Sequence, residues 1–162
     1  MITSPMTPAI TVLDRAHASY ELHEYDHDAA NTHYGSEAAD KMGISAERVF
    51  KTLVVALDNG KLAVAVLPVS LNLNLKTMAK ALGAKKAQMA KPEQVERSSG
   101  YVLGGVSPIG QKKSLTTIID SSAADYSTIF ISAGRRGLEI ELAPDLLCLL
   151  TKGRYESVGV SK

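Results

Sequence analysis

The chain reads as one α/β domain over residues 1–162: a mixed β-sheet, partly closed or rolled into a barrel, with helices on its flanks. Three observations predict this class. Two apolar, β-branched runs meet across Asn59-Gly60, the mark of a hairpin. Other strand-like runs are joined by helical segments as well as by tight turns, so parallel and antiparallel pairings share a sheet. No linker, repeat or low-complexity tract divides the 162 residues, a length near that of a single domain.

In chain order, Thr7-Pro8 is an N-cap with proline at the first helical position, and Ala9, Val12, Leu13 and Ala16 recur at helical spacing to about residue 18. Tyr20–Tyr25 alternates as a short strand, and residues 26–33 are polar loop. Ser36 caps a helix over 37–41, which Gly43 ends. Residues 49–57 and 62–67 are the hairpin strands. A two-residue type I′ turn pairs Leu57 with Leu62, Val55 with Val64, Leu53 with Val66 and Lys51 with Pro68. Alternation then puts Lys51 on the face of Leu53, Val55 and Leu57, so a lysine finishes an apolar stripe. A helix follows over 75–82 with Gly83 behind it, then a short strand at 85–89 and a short helix at 92–97. Residues 100–110 hold too many glycines for regular structure and form a loop. Strands at 117–120, 128–132 and 138–142 precede a helix that Pro144 opens.

Composition narrows the function. Apolar residues make up 45% of the chain and charged residues 22%, enough for a core and unlike a disordered chain. Eighteen Lys+Arg against 17 Asp+Glu leave a net charge of +1, which excludes a strongly basic nucleic-acid coat. A lone cysteine excludes an internal disulfide framework and an all-Cys zinc site. No run nears the roughly 18 apolar residues of a membrane span. Met1–Pro8 lacks the basic-then-apolar order of a signal peptide, so a cytoplasmic domain is expected.

Most reactive side chains have a plain structural use. Cys148 stands in the apolar run Leu146–Leu150 and reads as core. His23 and His27 are spaced by four, but in a strand and loop that spacing puts the rings on different faces, so no metal site is expected. Gly105–Ser114 approaches a phosphate loop, yet Gln111 intrudes before Lys112 and Pro108 removes a needed N–H. Its remaining N–H groups can form a nest for a carboxylate, phosphate or oxyanion, or serve backbone geometry alone. No G-x-S-x-G elbow or Ser-His-Asp order is present. Any catalysis by this chain must therefore rest on positioning and electrostatics. Lys51 either snorkels or holds an anion or carbonyl at a dry edge. Lys76, Lys80, Lys85, Lys86, Lys112, Lys113, Arg135 and Arg136 can make a basic rim if they cluster in space.

Four segments together resemble the YbaK-type Cys-tRNA(Pro) deacylases, relatives of the editing domain of bacterial prolyl-tRNA synthetases. They are Val49-Phe-Lys-Thr-Leu53, Lys80–Lys86, Gly100–Lys113 and Ser132–Leu142, in matching order and spacing over essentially the whole chain. The resemblance implies a partly closed mixed sheet with a cleft lined by these segments, no cofactor and no metal. The partners it implies are the acceptor end of an aminoacyl-tRNA and, in addition, prolyl-tRNA synthetase. It implies removal of misattached cysteine from tRNA(Pro), and also from tRNA(Cys), because a proline pocket cannot reject so similar a size. Lys51 matches the family's characteristic lysine and is the first candidate for an essential residue, holding the terminal adenosine phosphate or the ester region rather than attacking. Tyr25, Thr52 and Ser132 match cleft positions, and Gly100, Gly104, Gly105 and Ser107 match the loop at the aminoacyl site. Tyr34 replaces a frequent Phe and Glu139 a frequent Asp. The implied attacking group is the substrate's own thiol, with water as the alternative. Other readings stay open: a deacylase for Ala- or Ser-tRNA, a non-catalytic module binding tRNA or a synthetase, or a phosphate-ligand enzyme using the glycine loop.

Overall fold

The computed structural model describes residues 6–162; Met1–Pro5, where the segment read for a leader begins, lies outside them. The elements in order are α1 (Pro8–Arg15), β1 (Glu21–Glu24), α2 (Tyr34–Met42), β2 (Phe50–Leu57), β3 (Leu62–Pro68), β4 (Leu71–Leu73), α3 (Leu75–Ala81), β5 (Ala87–Met89) and α4 (Pro92–Ser99). There follow β6 (Thr116–Asp120), a 3-10 turn (Ser121–Asp125), β7 (Ile129–Arg135), β8 (Leu138–Leu142), α5 (Pro144–Thr151), β9 (Arg154–Glu156) and β10 (Gly159–Ser161). Local chemistry explains the helix starts. Thr7 Oγ1 accepts the Ile10 N–H at 3.2 Å, and Asn74 Oδ1 accepts the Thr77 N–H at 3.2 Å. The second helix begins at Tyr34, so Ser36 lies inside it and caps nothing.

A mixed sheet forms as expected, in the open rather than the barrel form. One sheet has the order β5-β2-β3-β6-β9, antiparallel at β5-β2 and β2-β3, parallel at β3-β6 and β6-β9. The other is the antiparallel β1-β8-β7, and β10-β4 forms a small ribbon. Among the described residues a single parallel bridge, Val49 to Phe130, joins the two large sheets, and beyond it they diverge.

The hairpin register differs by one residue from the expected one. Gly60 N–H reaches Leu57 C=O at 2.9 Å and Leu57 N–H reaches Lys61 C=O at 2.8 Å, so the loop holds three residues, Asp58-Asn59-Gly60. Gly60 at φ +86° occupies the left-handed position that closes such a loop. Lys51 therefore faces Leu67, and Phe50 faces Pro68.

Alternation along the hairpin builds two cores. Val54, Val64 and Val66 join Ile131, Ile140, Leu13 of α1 and Leu147 of α5 on one face. Val55, Ala63, Ala65 and Leu67 meet Met78 of α3, Ile118 and Val158 on the other. A strand pair buried on both faces needs the unbroken apolar runs seen in the sequence. Cys148 departs from the core reading: it is half-buried against this packing. Among the described residues, no helix is long and apolar enough to cross a membrane.

Candidate active site

The site grows from the divergence of the sheets. Because Leu57 N–H donates to the Lys61 carbonyl, odd-numbered residues of β2 bond to β3 and even-numbered ones turn their peptide groups to the opposite edge. On that edge Phe130 N–H takes the Arg48 carbonyl at 3.0 Å, and Ala90 N–H takes the Val54 carbonyl at 3.0 Å. Between those two anchors no strand of the described residues lies beside Thr52, and a cavity of about 430 Å³ opens there. The Thr52 hydroxyl lines it, buried and without a hydrogen-bond partner. A buried hydroxyl left unpaired costs about 1–3 kcal/mol, which a ligand group can recover.

The facing wall comes from β7 and β8, where Ser132 and Glu139 are direct cross-strand partners. Their neighbours Ile131 and Ile140 point into the core, so Ser132 and Glu139 point away from it. Glu139 is buried, and burial pushes its carboxyl up to about 8, which favours the protonated form near neutral pH. Tyr25 joins this wall; burial and the nearby Glu139 raise its phenol to about 12.

Apolar Phe50, Leu53, Ala90 and Val95 give the rest of the cavity a dry lining. Its lip is Tyr34 at the start of α2 and the loop at Leu103-Gly104. The Arg136 guanidinium lies 4.7 Å from the Tyr34 ring centre and its Nε donates to the Leu103 carbonyl at 2.8 Å. Gly104, at φ +83°, packs so closely that a Cβ would stand 2.7 Å from the Tyr34 ring and 2.8 Å from Arg136 Nε. A buried carboxylate, Glu37, anchors the segment between Tyr25 and Tyr34. It accepts from His27 Nδ1 at 2.6 Å and the Asp28 N–H at 2.9 Å, and these bonds hold its carboxyl below the usual carboxylate pKa range despite burial.

Of the residues singled out in the sequence, Tyr25, Tyr34, Lys51, Thr52, Gly104, Ser132 and Glu139 all line this one cavity. Lys51 is half-buried, and desolvation, with Lys162 adding repulsion, lowers its pKa. Its Nζ donates to the Leu71 carbonyl at 2.5 Å, not to the glycine loop. Gly100, Gly105 and Ser107 fall outside the lining. Gly100 ends α4, Gly105 packs on the Arg135 backbone, and buried Ser107 accepts from the Ile109 N–H at 3.3 Å. The basic residues are all exposed but serve different places: Arg136 at the lip, Arg135 behind Gly105, Lys112 and Lys113 beyond α4, and Lys76, Lys80, Lys85 and Lys86 on α3 and its connection to β5. The apolar lining, Leu103 included, escaped the sequence reading because apolar residues that face a cavity carry the same signal as core.

The two histidines at zinc-like spacing separate as expected. His23 Nε2 lies 2.9 Å from Glu141 Oε1, while His27 serves Glu37. Glu21, His23 and Glu141 do gather within 4.8 Å, and Arg48 at 3.6 Å already supplies positive charge to Glu141.

Comparison with known proteins gives this geometry a context. The model of the aminoacyl-tRNA editing domain matches residues 29–148. The chain is 38% identical over 157 residues to EbsC of Enterococcus faecalis, a candidate Cys-tRNA(Pro)/Cys-tRNA(Cys) deacylase, across 96% of this chain and 94% of that one. It is 33% identical over 96 residues to a proline–tRNA ligase of Acidithiobacillus ferrooxidans, covering 57% of this chain and 17% of the ligase. The crystal structure of a candidate trans-editing enzyme for prolyl-tRNA synthetase has the same fold, with a TM-score of 0.82 at 22% identity over 98% of this chain and 100% of that one. The hypothetical protein APE2540 matches with a TM-score of 0.84 at 22% identity, over 95% and 100%. The chain belongs to the aminoacyl-tRNA editing domain family.

Proposed function

We propose that this chain is a trans-editing deacylase that removes cysteine from tRNA(Pro), and also from tRNA(Cys), at the cavity beside Thr52. One observation carries the reading: a half-open, mostly apolar hollow that gathers the orphan Thr52 hydroxyl, the Glu139 carboxyl, Ser132, Tyr25 and an unpaired strand edge, with no nucleophile hydrogen-bonded to a base among the described residues. Such a site binds and orients an ester without attacking it. The cysteinyl group sits against Ser132, Glu139 and Tyr25, and its α-ammonium, on arrival, favours the ionised Glu139 carboxylate that burial alone disfavours. The ester carbonyl lies against the N–H groups of the Thr52 edge and the Gly104 loop, which stabilise the oxyanion. The substrate's thiolate attacks its own carbonyl carbon: an S–C bond forms and the ester C–O bond breaks. The thiol's proton passes to the departing ribose oxygen, so the products are a cyclic thioester and free tRNA. Lys51 supplies positive charge for the terminal phosphate or ester at the Leu71 edge. The place of action is the cytoplasm, where tRNA is charged, and prolyl-tRNA synthetase is the expected partner.

The test is release of labelled amino acid from Cys-tRNA(Pro), Pro-tRNA(Pro) and Ala-tRNA. Cysteine is expected to leave at least tenfold faster than proline, and Lys51→Ala to lose on the order of 100-fold in kcat/KM. Undiminished turnover by a folded Lys51→Ala variant removes the lysine from the mechanism. Preferred turnover of Ala-tRNA reassigns the substrate, and tRNA binding without release of any amino acid leaves a binding module.

A further inference from the structure

A second hollow, of about 300 Å³, lies on the other flank of α4. Pro92 and Val95 of that helix face the main cavity, whereas Gln94, Arg97 and Ser98, spaced i, i+3 and i+4 on one stripe, face the second. Gly60 and Leu62 from the hairpin end and Lys113 and Leu115 from the approach to β6 complete its walls. Its scaffold is firm. Lys113 N–H donates to the Ser98 carbonyl and Lys112 N–H to the Ser99 carbonyl, both at 2.9 Å, which fixes the lysine's root beside the helix. Gln94 Oε1 is taken by the Lys91 N–H at 2.9 Å, so the amide NH2 is its remaining polar group.

What this hollow presents is therefore donors and positive charge. Arg97 and Lys113 make no ion pair among the described residues, and Glu93 and Glu96, the acidic residues of α4, are not in the lining. Among the described residues no aromatic ring lines it for stacking a base, which fits an anion without its base. A helix with its side chains is about 10–12 Å across, so an anion held here lies one helix width from the aminoacyl cavity. That is a step the single-stranded 3′ end of a tRNA can take.

We propose that Arg97 and Lys113 form a phosphodiester subsite that grips the tRNA strand upstream of the acylated adenosine. This rests on the deacylase reading and adds to it a binding site outside the cavity, with Arg97 as a contact that the sequence did not single out. The experiment compares the wild type with Arg97→Gln/Lys113→Gln and with a control of equal charge loss at distant exposed positions, Arg15→Gln/Lys152→Gln. Two quantities are read: cysteine release from Cys-tRNA(Pro), and binding of deacylated tRNA(Pro) over a salt series. The subsite pair is expected to raise KM about tenfold with kcat kept, and to make the slope of log K against log salt shallower by about one. An unchanged KM and slope overturns the subsite. So does an equal loss in the control pair, or a fall in kcat alone. A wild-type chain that binds tRNA with the expected sensitivity at Arg97 and Lys113, yet frees no amino acid, supports the subsite while refuting the deacylase reading.

Discussion

Glu139 is the residue where burial and charge conflict most directly. Its carboxyl is titrated near 4.5 in an unfolded chain and at about 8 in the fold, with burial as the cause. Between those two values the unfolded chain has released a proton that the native chain keeps, so the native state binds more protons and stability falls as pH rises. The whole effect is on the order of a few kcal/mol. Glu139→Gln removes the titration while keeping the shape. Thermal unfolding from pH 5 to 9 should show the wild type losing stability toward pH 8 and the variant nearly flat over the same range. Parallel curves would mean that Glu139 is solvated or paired in solution. A buried group held at such a cost is consistent with a partner that arrives with the substrate.

Among the elements, the loop around Gly104 shows how a short segment sets the cavity lip. Gly104 needs its left-handed backbone, and any Cβ there would collide with Tyr34 and Arg136. Gly43 ends α2 in a similar conformation, φ +68°, with nothing within 4 Å of a Cβ. The two alanine variants therefore separate strain from contact. Each should lose about 1–2 kcal/mol of stability to the left-handed backbone. Gly104→Ala alone should lose on the order of 100-fold in kcat/KM, because the loop must shift by a contact distance to admit the methyl group. Equal activities in the two variants would detach the lip from catalysis. The elements also show where sequence reading stops. Long periodic runs such as 49–57 and 62–67 were legible because their faces are fixed by burial. The three-residue loop was not, since Asn-Gly is equally at home in it and in the shorter turn. Strands β4, β9 and β10 have three residues each, too few for a period to declare itself, and they exist through their tertiary partners.

At the scale of the molecule, the cavity belongs to no single element: it is the gap left where β7 parts from β2 after one bridge. Lys51, Thr52 and Glu139 could be marked from the sequence by type and motif, but their meeting depends on how two sheets diverge, which no local pattern encodes. The same arrangement decides the chemistry. The Thr52 hydroxyl has no hydrogen-bond partner, and Ser132 Oγ accepts the Gly134 N–H at 3.1 Å with no base hydrogen-bonded to it among the described residues. Cys148 lies on α5 outside the cavity, its thiol pushed up by burial. If no protein group attacks, the substrate's own thiol is the strongest nucleophile available, already a few per cent ionised at neutral pH. Cys148→Ser should then keep activity within about twofold, since the thiol that matters arrives with the substrate. Ser-tRNA(Pro), which differs from Cys-tRNA(Pro) by one atom, should turn over at least about 100-fold more slowly, because a hydroxyl is scarcely ionised at that pH. The rate on Cys-tRNA(Pro) should also climb with pH toward the thiol's pKa of about 8.5. Comparable rates for the two esters, with no such climb, would assign the attack to water and leave the cavity the task of polarising the carbonyl.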